Sequence, residues 1–442
     1  MDTPIFDFVQ NYIKSNTARL HMPGHKGVSF LGFEQYDITE IAGADELYAP
    51  SGIIRESEEN ATRLFSTAKT VYSAGGSSQS INAMLYLAYL RADKDIRPFV
   101  LAGRNTHKAF IYALAKLDAD VEWLYPQNND SICSCIVNGE MVEKALKNLS
   151  KKPFAVYITN PDYLGGMSDI QSIAKVCKEY DIPLLVDNAH GSYLKFYKQD
   201  LHPISLGADM CCDSAHKTLP VLTGGGYLHI AKSDKYGFSQ NAVNAMAVFG
   251  STSPSYLIMQ SLDLCNKYID EKIKDDIEVC AQKVAELKCL INSKGFEILS
   301  QEPLKLTIDF RGYNFDFREH FRKHRIEFEY ADDDFVVFMF SPQNSDADFE
   351  RIKSAFENLD IERTENVENI YIPKAENVLS VRESIFSECE KICIEKAIGR
   401  ICASPTVSCP PAIPIAVSGE KITDSHIELF KKYNIDKILV VR

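Results

Sequence analysis

The sequence predicts an α/β protein built around a mostly parallel sheet of seven strands. Between about residues 70 and 230, short apolar runs alternate with amphipathic stretches, as strands alternate with crossover helices in a parallel sheet. The run Pro183-Leu184-Leu185-Val186 is continuously apolar, which is typical of a strand buried on both faces. A length of 442 residues exceeds one ordinary core, so at least one further domain is expected.

Each predicted strand of this sheet is a short run of mainly apolar residues. The seven runs are Thr70–Ser73, Phe99–Ala102, Val121–Tyr125, Phe154–Thr159, Leu184–Asp187, Met210–Cys212 and Gly226–Ile230. Helical stretches such as Ala109–Leu117 and Ile170–Tyr180 fall between them. Parallel strands need such crossovers, so the order of elements agrees with the fold class.

A long helical region separates the sheet from the rest of the chain. From Tyr256 to Lys294 apolar residues recur at helical spacing without a proline, which predicts one long helix or two in series. We place the domain boundary after this region, at residue 295. The expected division is an N-terminal arm with a large domain, residues 1–295, and a small C-terminal part, residues 296–442.

The C-terminal part is predicted to be a smaller α+β region. Its expected elements are strands at Lys305–Phe310 and Phe335–Phe340 and a helix at Ala347–Asn358. A polar link at Glu362–Glu368 follows. The segment Cys409–Pro414 must be irregular, because proline can continue neither a helix nor a central strand.

Composition excludes several classes of partner. Lys and Arg number 48 against 61 Asp and Glu, a formal net charge of -13, which argues against nucleic acid as the partner. The dispersed acids chiefly favour solubility, with attraction of a cationic substrate as the lesser alternative. We find no signal peptide and no apolar stretch long enough to span a bilayer, so we expect no membrane partner and a cytoplasmic location.

The cysteines give no metal-binding pattern. The sequence has 12 of them, and the closest pairs, Cys133 with Cys135 and Cys211 with Cys212, lack Cys-x-x-Cys spacing. We therefore expect no metal site and reduced thiols.

A glycine- and serine-rich turn follows the first predicted strand and opens a helix. Gly76, Ser77, Ser78 and Gln79 could bind an anion, because glycines allow close backbone approach and a helix N-terminus offers free N–H groups. A turn of this kind can also simply connect two elements. The sequence leaves both interpretations of this turn open: a phosphate-binding cradle and a simple connection.

Two polar residues stand at the end of the fifth predicted strand. Asp187 and His190 lie in Leu184-Leu185-Val186-Asp187-Asn188-Ala189-His190, at the strand end where α/β sheets bind ligands. A capping or solvated aspartate and a structural histidine are the ordinary alternatives.

One lysine sits in surroundings unusual for a surface residue. Lys217 lies among small and apolar residues just after the sixth predicted strand, whereas most lysines are solvated. A partly desolvated lysine can react with an aldehyde. The anion cradle, Asp187 and Lys217 together supply what pyridoxal 5'-phosphate (PLP) needs: a phosphate site, a partner for its ring nitrogen and an amine.

These motifs resemble the Orn/Lys/Arg decarboxylase family, whose members have the aminotransferase-like fold type I. The similarity covers most of the chain and is strongest at Ser214-Ala215-His216-Lys217-Thr218-Leu219-Pro220. Other matching segments are Leu20–Gly27, Asp37–Glu40, Asp45–Leu47, Arg104–Ala109, Ala397–Ile401 and the proline-rich segment before Gly419.

The resemblance implies a role for each matching residue. Lys217 would carry the cofactor, Asp187 would pair with the ring nitrogen, and His107 would stack on the ring. Around the phosphate or beside the lysine would lie Ser78, Gln79, Ser214 and His216. Ser251 or Thr252 matches a hydroxyl residue that reaches the phosphate of the neighbouring subunit, which implies a homodimer.

The implied activity is decarboxylation of lysine, arginine or ornithine to an amine and carbon dioxide, with Lys217, His190 or water returning a proton. An aminotransferase or carbon–carbon lyase on the same fold is the alternative, and a relative without turnover is a third hypothesis. Three segments depart from the family pattern: Asp187–His190, with Asn for Glu; Leu222–Gly225, with Gly for Gln; and Cys409–Pro414. These departures bear on the identity of the substrate.

Overall fold

The structure is a computed structural model that describes residues 1–126, 131–357, 359, 361–363, 370, 372–405 and 411–442. The helices in these ranges are α1 (Pro4–Lys14), α2 (Ile53–Phe65), α3 (Gly76–Tyr89), α4 (Lys108–Leu117), α5 (Gly139–Asn148), α6 (Ile170–Glu179), α7 (Ala215–Thr218), α8 (Ala242–Val248), α9 (Tyr256–Glu271), α10 (Ile273–Ser293), α11 (Phe317–Lys323), α12 (Asp346–Glu357), α13 (Val381–Phe386) and α14 (Asp424–Lys432). The strands are β1 (Lys69–Ser73), β2 (Phe99–Gly103), β3 (Asp120–Leu124), β4 (Ala155–Thr159), β5 (Leu184–Asp187), β6 (Met210–Asp213), β7 (Gly226–Ile230), β8 (Glu297–Ile298), β9 (Lys305–Asp309), β10 (Tyr330–Ala331), β11 (Phe335–Met339), β12 (Cys389–Cys393) and β13 (Lys437–Val441).

The first seven strands form one sheet in the order β1-β7-β6-β5-β4-β2-β3. Strand β2 runs parallel to β3 and β4, and β5 runs parallel to β6, whereas β7 is antiparallel to both β1 and β6. The predicted mostly parallel seven-stranded sheet is therefore confirmed. Strands β5 and β6 are buried along their whole length, which explains why their sequences are nearly continuously apolar.

The chain divides into two compact units, each assembled from two stretches of sequence. The first comprises residues 1–92 and 177–276 and contains β1, β5, β6 and β7. Aromatic rings form part of its core: the Phe65 ring lies 5.1 Å from that of Phe196 and 5.3 Å from that of Tyr227. The buried carboxylate of Asp263 accepts hydrogen bonds from the backbone N–H groups of Ile5 and Phe6, at 2.9 and 3.0 Å, and so anchors the start of α1.

The second unit comprises residues 93–176 and 277–442. Besides β2, β3 and β4 it contains a four-stranded antiparallel sheet, in the order β10-β11-β9-β8, and the antiparallel pair β12 and β13. One apolar core brings its distant segments together, and its members include Tyr163, Tyr330, Phe335, Ile394, Ile413, Phe430 and Val440.

Several predicted C-terminal elements are present within one residue of their expected ends. Strands β9 and β11 and helix α12 match the segments expected there. The long helical region is two helices in series, α9 and α10, separated at Lys272, whose backbone is not helical. Strands β12 and β13 and helix α14 were not predicted. The division of the chain at residue 295 stays a prediction.

Parts of the predicted C-terminal segments lie outside the described residues, namely Asn358, Cys409, Pro410 and all but the first two residues of the polar link. The described part of the proline-rich segment, residues 411–414, is neither helix nor strand, as its prolines require. Searched over the described residues, the chain has no helix of the length and apolar character that crossing a membrane requires.

Candidate active site

Lys217 and His190 meet in the first unit. Lys217 lies in the short helix α7, which follows the carboxyl end of β6, and His190 lies three residues beyond β5. The Nζ atom of Lys217 is 2.9 Å from Nε2 of His190, a hydrogen-bond distance. His190 is buried and Lys217 is half-buried. The amine is thus held at the carboxyl ends of two neighbouring parallel strands, where such sheets bind ligands.

Asp187 is the last residue of β5 and is buried. Its Oδ1 atom accepts a hydrogen bond from the backbone N–H of Ala189 at 3.2 Å and one from the Cys212 thiol at 3.6 Å. Burial, followed by the nearby Asp187 carboxylate, raises the pKa of Cys212 well above its usual value, so this thiol stays protonated and can donate. The sheet therefore presents a buried carboxylate beside the strand that leads to Lys217.

The predicted phosphate cradle opens helix α3. This helix begins at Gly76, and no side chain caps its N-terminus. Gly76 has a φ of +64°, a conformation that favours glycine, and its N–H donates to the carbonyl of Gly224 at 2.7 Å. A Cβ atom at Gly76 would lie 3.6 Å from Cε1 of His216, so the cradle adjoins the residue next to Lys217.

The turn after α7 accounts for one departure from the family pattern. Gly224, which stands where the family has glutamine, has a φ of +100°. A Cβ atom there would lie 3.0 Å from the side chain of Ile258, closer than most real contacts. The next carbonyl, that of Gly225, accepts a hydrogen bond from Nδ1 of His216 at 2.9 Å. Glycine at 224 thus satisfies a backbone requirement of the turn that supports His216.

The remaining predicted residues of this unit have different surroundings. Ser77 is half-buried, Ser78 and Thr252 are exposed, and Ser214 is buried. The side chain of Gln79 is buried and hydrogen-bonded: Oε1 accepts from the N–H of Gly75 at 3.2 Å, and Nε2 donates to the Tyr48 hydroxyl at 2.8 Å and the Met246 carbonyl at 2.9 Å. The Gln79 side chain thus links Gly75, at the start of the cradle, to Tyr48 and Met246.

His107 belongs to the second unit, where it caps helix α4. Its Nδ1 atom accepts a hydrogen bond from the backbone N–H of Ala109 at 3.1 Å. The next residue, Lys108, donates its N–H to the carbonyl of Ala412 at 2.9 Å. The C-terminal proline-rich segment therefore lies directly beside the residue predicted to stack on the cofactor.

Arg104 fixes that segment in place. It is buried and donates to the carbonyls of Pro414 and Ile415, each at 2.8 Å. It also lies 3.6 Å from the buried Glu420 carboxylate, and its guanidinium lies 5.1 Å from the centre of the Trp123 ring. The two halves of the family pattern, around Arg104 and around residue 414, thus form one buried structure in this unit.

A buried polar cluster that the sequence did not predict joins Asn188, the residue after Asp187, to the end of β6. The Asp213 carboxylate accepts a hydrogen bond from Nδ2 of Asn188 at 2.7 Å and lies 3.2 Å from Nε2 of His202 and 3.3 Å from Nε2 of His229. Burial alone would raise the pKa of Asp213, but the two histidines hold it below its usual range. Nothing in the local sequence pairs these residues, and only the position of Asp213 just before Ser214 offered a signal.

The same cluster includes a group of potential metal ligands. The side chains of His202, Cys211 and Asp213 are fully buried, and their ligand atoms lie within 4.8 Å of one another. Hydrogen bonds and ion pairs to Asp213 account for this grouping, and burial raises the pKa of the Cys211 thiol well above its usual value. The absence of a metal site stays a prediction.

The residues of the first unit fit PLP. Lys217 offers an amine, Asp187 a buried carboxylate for the ring nitrogen, and the start of α3 an uncapped helix N-terminus whose glycine leaves room for a phosphate. His216 adjoins this cradle and is next to Lys217.

Comparison with known proteins agrees with this chemistry. The sequence model described as Orn/Lys/Arg decarboxylase, major domain, matches residues 3–360, and the one described as Orn/Lys/Arg decarboxylase, C-terminal domain, matches residues 362–434.

Individual relatives and solved structures agree with these matches. An arginine decarboxylase of Halalkalibacterium halodurans is 28% identical, with 98% of this chain and 93% of that protein covered. An arginine decarboxylase of Bacillus subtilis is 27% identical, with 100% of this chain and 95% of that protein covered. A lysine decarboxylase of Francisella novicida has the same fold, with a TM-score of 0.78, 18% identity, and 100% of this chain and 81% of that chain covered.

The fold, the site and these matches define a PLP-dependent amino-acid decarboxylase of fold type I. PLP is accordingly its cofactor. The chain belongs to the Orn/Lys/Arg decarboxylase family.

Proposed function

We propose that this chain removes the α-carboxylate of arginine as carbon dioxide, with PLP held by Lys217. The observation that carries the proposal is the 2.9 Å contact between Lys217 Nζ and His190 Nε2, beside the strand that ends in Asp187. Arginine is chosen because two relatives that align with nearly the whole chain are named arginine decarboxylase. Lysine and ornithine are the alternative substrates of the family.

When bound, PLP supplies the electron withdrawal that accepts the electron pair left behind as carbon dioxide departs. The buried Asp187 carboxylate favours a protonated ring nitrogen and so maintains that withdrawal. The uncapped N–H groups at the start of α3, with the neighbouring Ser77 and Ser78 hydroxyls, bind the phosphate. The stacking role of His107, which caps helix α4, stays a prediction.

Lys217 and His190 handle the proton. Because their nitrogens share a hydrogen bond, a proton taken up by one can pass to the other without crossing solvent. The α-carbon needs one proton after carbon dioxide leaves, and this pair provides it. Burial of His190 limits the exchange of that proton with bulk water.

We also propose that the enzyme acts as a homodimer in the cytoplasm. Thr252 is exposed in the segment between α8 and α9, where its hydroxyl is accessible to a second copy. None of the eleven described cysteines forms a disulfide, which agrees with a reducing compartment. Thr252→Val should weaken PLP binding without changing the dimer mass in analytical ultracentrifugation. A monomeric mass for the PLP-loaded protein would contradict this part of the proposal.

The experiment measures the visible absorbance band of the protein loaded with PLP, then carbon dioxide and amine release from arginine, lysine and ornithine separately. Lys217→Ala should lose both the band and gas release. The matched control is Lys235→Ala, an exposed lysine of the same unit that pairs with Asp181, and it should keep both.

Each outcome tests a different part of the proposal. Gas from lysine or ornithine alone would leave the decarboxylase in place and refute arginine. A keto acid without carbon dioxide would replace decarboxylation by transamination, the alternative on this fold, and an aldehyde would indicate a lyase. A wild-type protein that shows no band with PLP would refute the role given to Lys217.

A further inference from the structure

A hydrogen bond between two buried side chains, those of Asn188 and Asp213, joins the carboxyl ends of β5 and β6. Asn188 directly follows Asp187, and Asp213 is the last residue of β6, four positions before Lys217. Nδ2 of Asn188 donates to Oδ1 of Asp213 at 2.7 Å, and neither side chain is exposed. The backbone adds a second link, because the N–H of Asn188 donates to the carbonyl of Cys212 at 2.9 Å. The end of β5, which carries Asp187, is thus hydrogen-bonded to the end of β6, which leads to Lys217.

The second oxygen of Asp213 is held from the other side. Oδ2 lies 3.2 Å from His202 Nε2 and 3.3 Å from His229 Nε2, and both rings are fully buried. The Phe65 ring lies 5.6 Å from the His202 ring and 4.4 Å from the His229 ring. A buried carboxylate is costly unless its oxygens are paired, and here both are. The carboxylate is therefore fixed in direction as well as in position.

We propose that Asp213 is a positioning residue, which acts through Asn188 to fix the Asp187 carboxylate and the approach to Lys217 in the geometry that PLP needs. The proposal rests on the roles given above to Asp187 and Lys217. It also explains the departure at residue 188. A glutamate at this position, as in the family pattern, would place a second carboxylate beside that of Asp213, whereas the asparagine amide donates to Asp213 at 2.7 Å. Residues 188 and 213 therefore form a matched pair.

Two single variants and their combination test the pair without changing side-chain size. Asn188→Asp places two carboxylates next to each other, where they repel. Asp213→Asn replaces the charged hydrogen-bond acceptor with a neutral one. Each should weaken PLP binding by about 10- to 100-fold, the range for losing a buried hydrogen bond to a charged group. Asn188→Asp/Asp213→Asn restores one donor and one acceptor with the polarity reversed. It should recover PLP affinity to within about fivefold of wild type, since paired residues are non-additive.

Two readouts separate positioning from a merely structural role. The first is the pH dependence of the visible PLP band. Asn188→Asp should regain affinity as the pH falls, because one proton shared between the two carboxylates restores a hydrogen bond. The second is kcat against KM for the wild-type substrate, where the loss should fall mainly on kcat because Asp187 and Lys217 act on the reaction and not on substrate capture.

Asp263→Asn is the matched control. Asp263 is likewise a fully buried aspartate of the first unit with hydrogen-bonded oxygens, but it anchors helix α1. Its replacement should lower the unfolding temperature and leave PLP affinity unchanged. If the Asp213 variant does not fold, Asn188→Ala removes the donor while leaving Asp213 with its histidines, and it should still weaken PLP binding.

The proposal is overturned if the folded variants at 188 and 213 behave like Asp263→Asn, with lower stability but wild-type PLP affinity, pH dependence and kcat. Failure of the double variant to recover affinity would also contradict it. These results differ from failure of the proposed function, in which the wild-type protein itself shows no PLP band or releases no carbon dioxide.

Discussion

Replacing Arg104 with methionine should strongly destabilise the second unit. The Arg104 guanidinium is buried, donates two hydrogen bonds at 2.8 Å to carbonyls of the proline-rich segment and lies 3.6 Å from Glu420. Glu420 is itself buried and accepts a hydrogen bond from the N–H of Val417 at 2.7 Å. Methionine keeps much of the apolar contact of the arginine stem but none of the charge.

The magnitude follows from the buried ion pair. Removal of the arginine leaves the buried Glu420 carboxylate without its cationic partner, and breaking a buried pair in this way typically costs about 3–5 kcal/mol. The two lost hydrogen bonds contribute to this figure and are not added to it, because the groups form one network. By contrast Arg97, which pairs with Asp118 and Asp120 while exposed, should lose no more than about 1 kcal/mol when replaced by methionine.

The assay is urea unfolding followed by tryptophan fluorescence. Trp123 is the single tryptophan of the sequence, and its ring lies under the Arg104 guanidinium. Its emission therefore reports on this part of the unit. Arg104→Met should lower the unfolding midpoint by about 1–2 M urea, with Arg97→Met near wild type. Equal midpoints for Arg104→Met and wild type would refute the reasoning, and equal losses for both arginine variants would show that burial is not the cause.

Three further predictions concern the first unit. Burial raises the pKa of Asp263 to about 6 despite its hydrogen bonds from Ser57 and the start of α1, so its contribution to stability is present at low pH and is lost as the pH rises towards 6. Calorimetry of Asp263→Asn between about pH 4 and pH 7 should therefore show a smaller fall in stability with rising pH than wild type, and parallel curves would contradict this. Gly76→Ala should cost about 1 kcal/mol through its positive φ and should weaken PLP binding, as measured by titration of the visible band; unchanged affinity would argue against the cradle. Asp187→Asn should reduce kcat by about 10²- to 10⁴-fold with PLP still bound, and a smaller loss in steady-state assays would exclude a role for the carboxylate at the ring nitrogen.

Much of the fold follows from local features of the sequence. The strands of the large sheet lie within one residue of their predicted ends, because a strand buried on both faces requires a continuous apolar run. The glycine-rich turn that leads into α3 is also predictable, since the positive φ of Gly76, the first residue of the helix, favours glycine. Strands β12 and β13 were missed. In β12 the exposed residues Cys389, Lys391 and Cys393 alternate with half-buried ones, so this strand lacks the continuous apolar run on which the other strand predictions depended.

The candidate site divides in the same way. Lys217, Asp187 and His190 were predictable, because chemically distinctive residues stand at strand ends that the sequence itself marks. A cofactor-binding role for Gln79 stays a prediction. Its side chain donates to the Tyr48 hydroxyl and the Met246 carbonyl, neither of which the sequence connects to it.

The sequence by itself determined the class of fold and the position of each strand of the large sheet, and it singled out the residues predicted to bind PLP. These properties depend on side-chain type and on periodicity over a few residues. Only the tertiary structure decided that Lys217 meets His190, that Asn188 meets Asp213, and that Arg104 holds residues 414 and 415. Such contacts depend on which strands and loops become neighbours, and that is set by the packing of segments distant in the sequence.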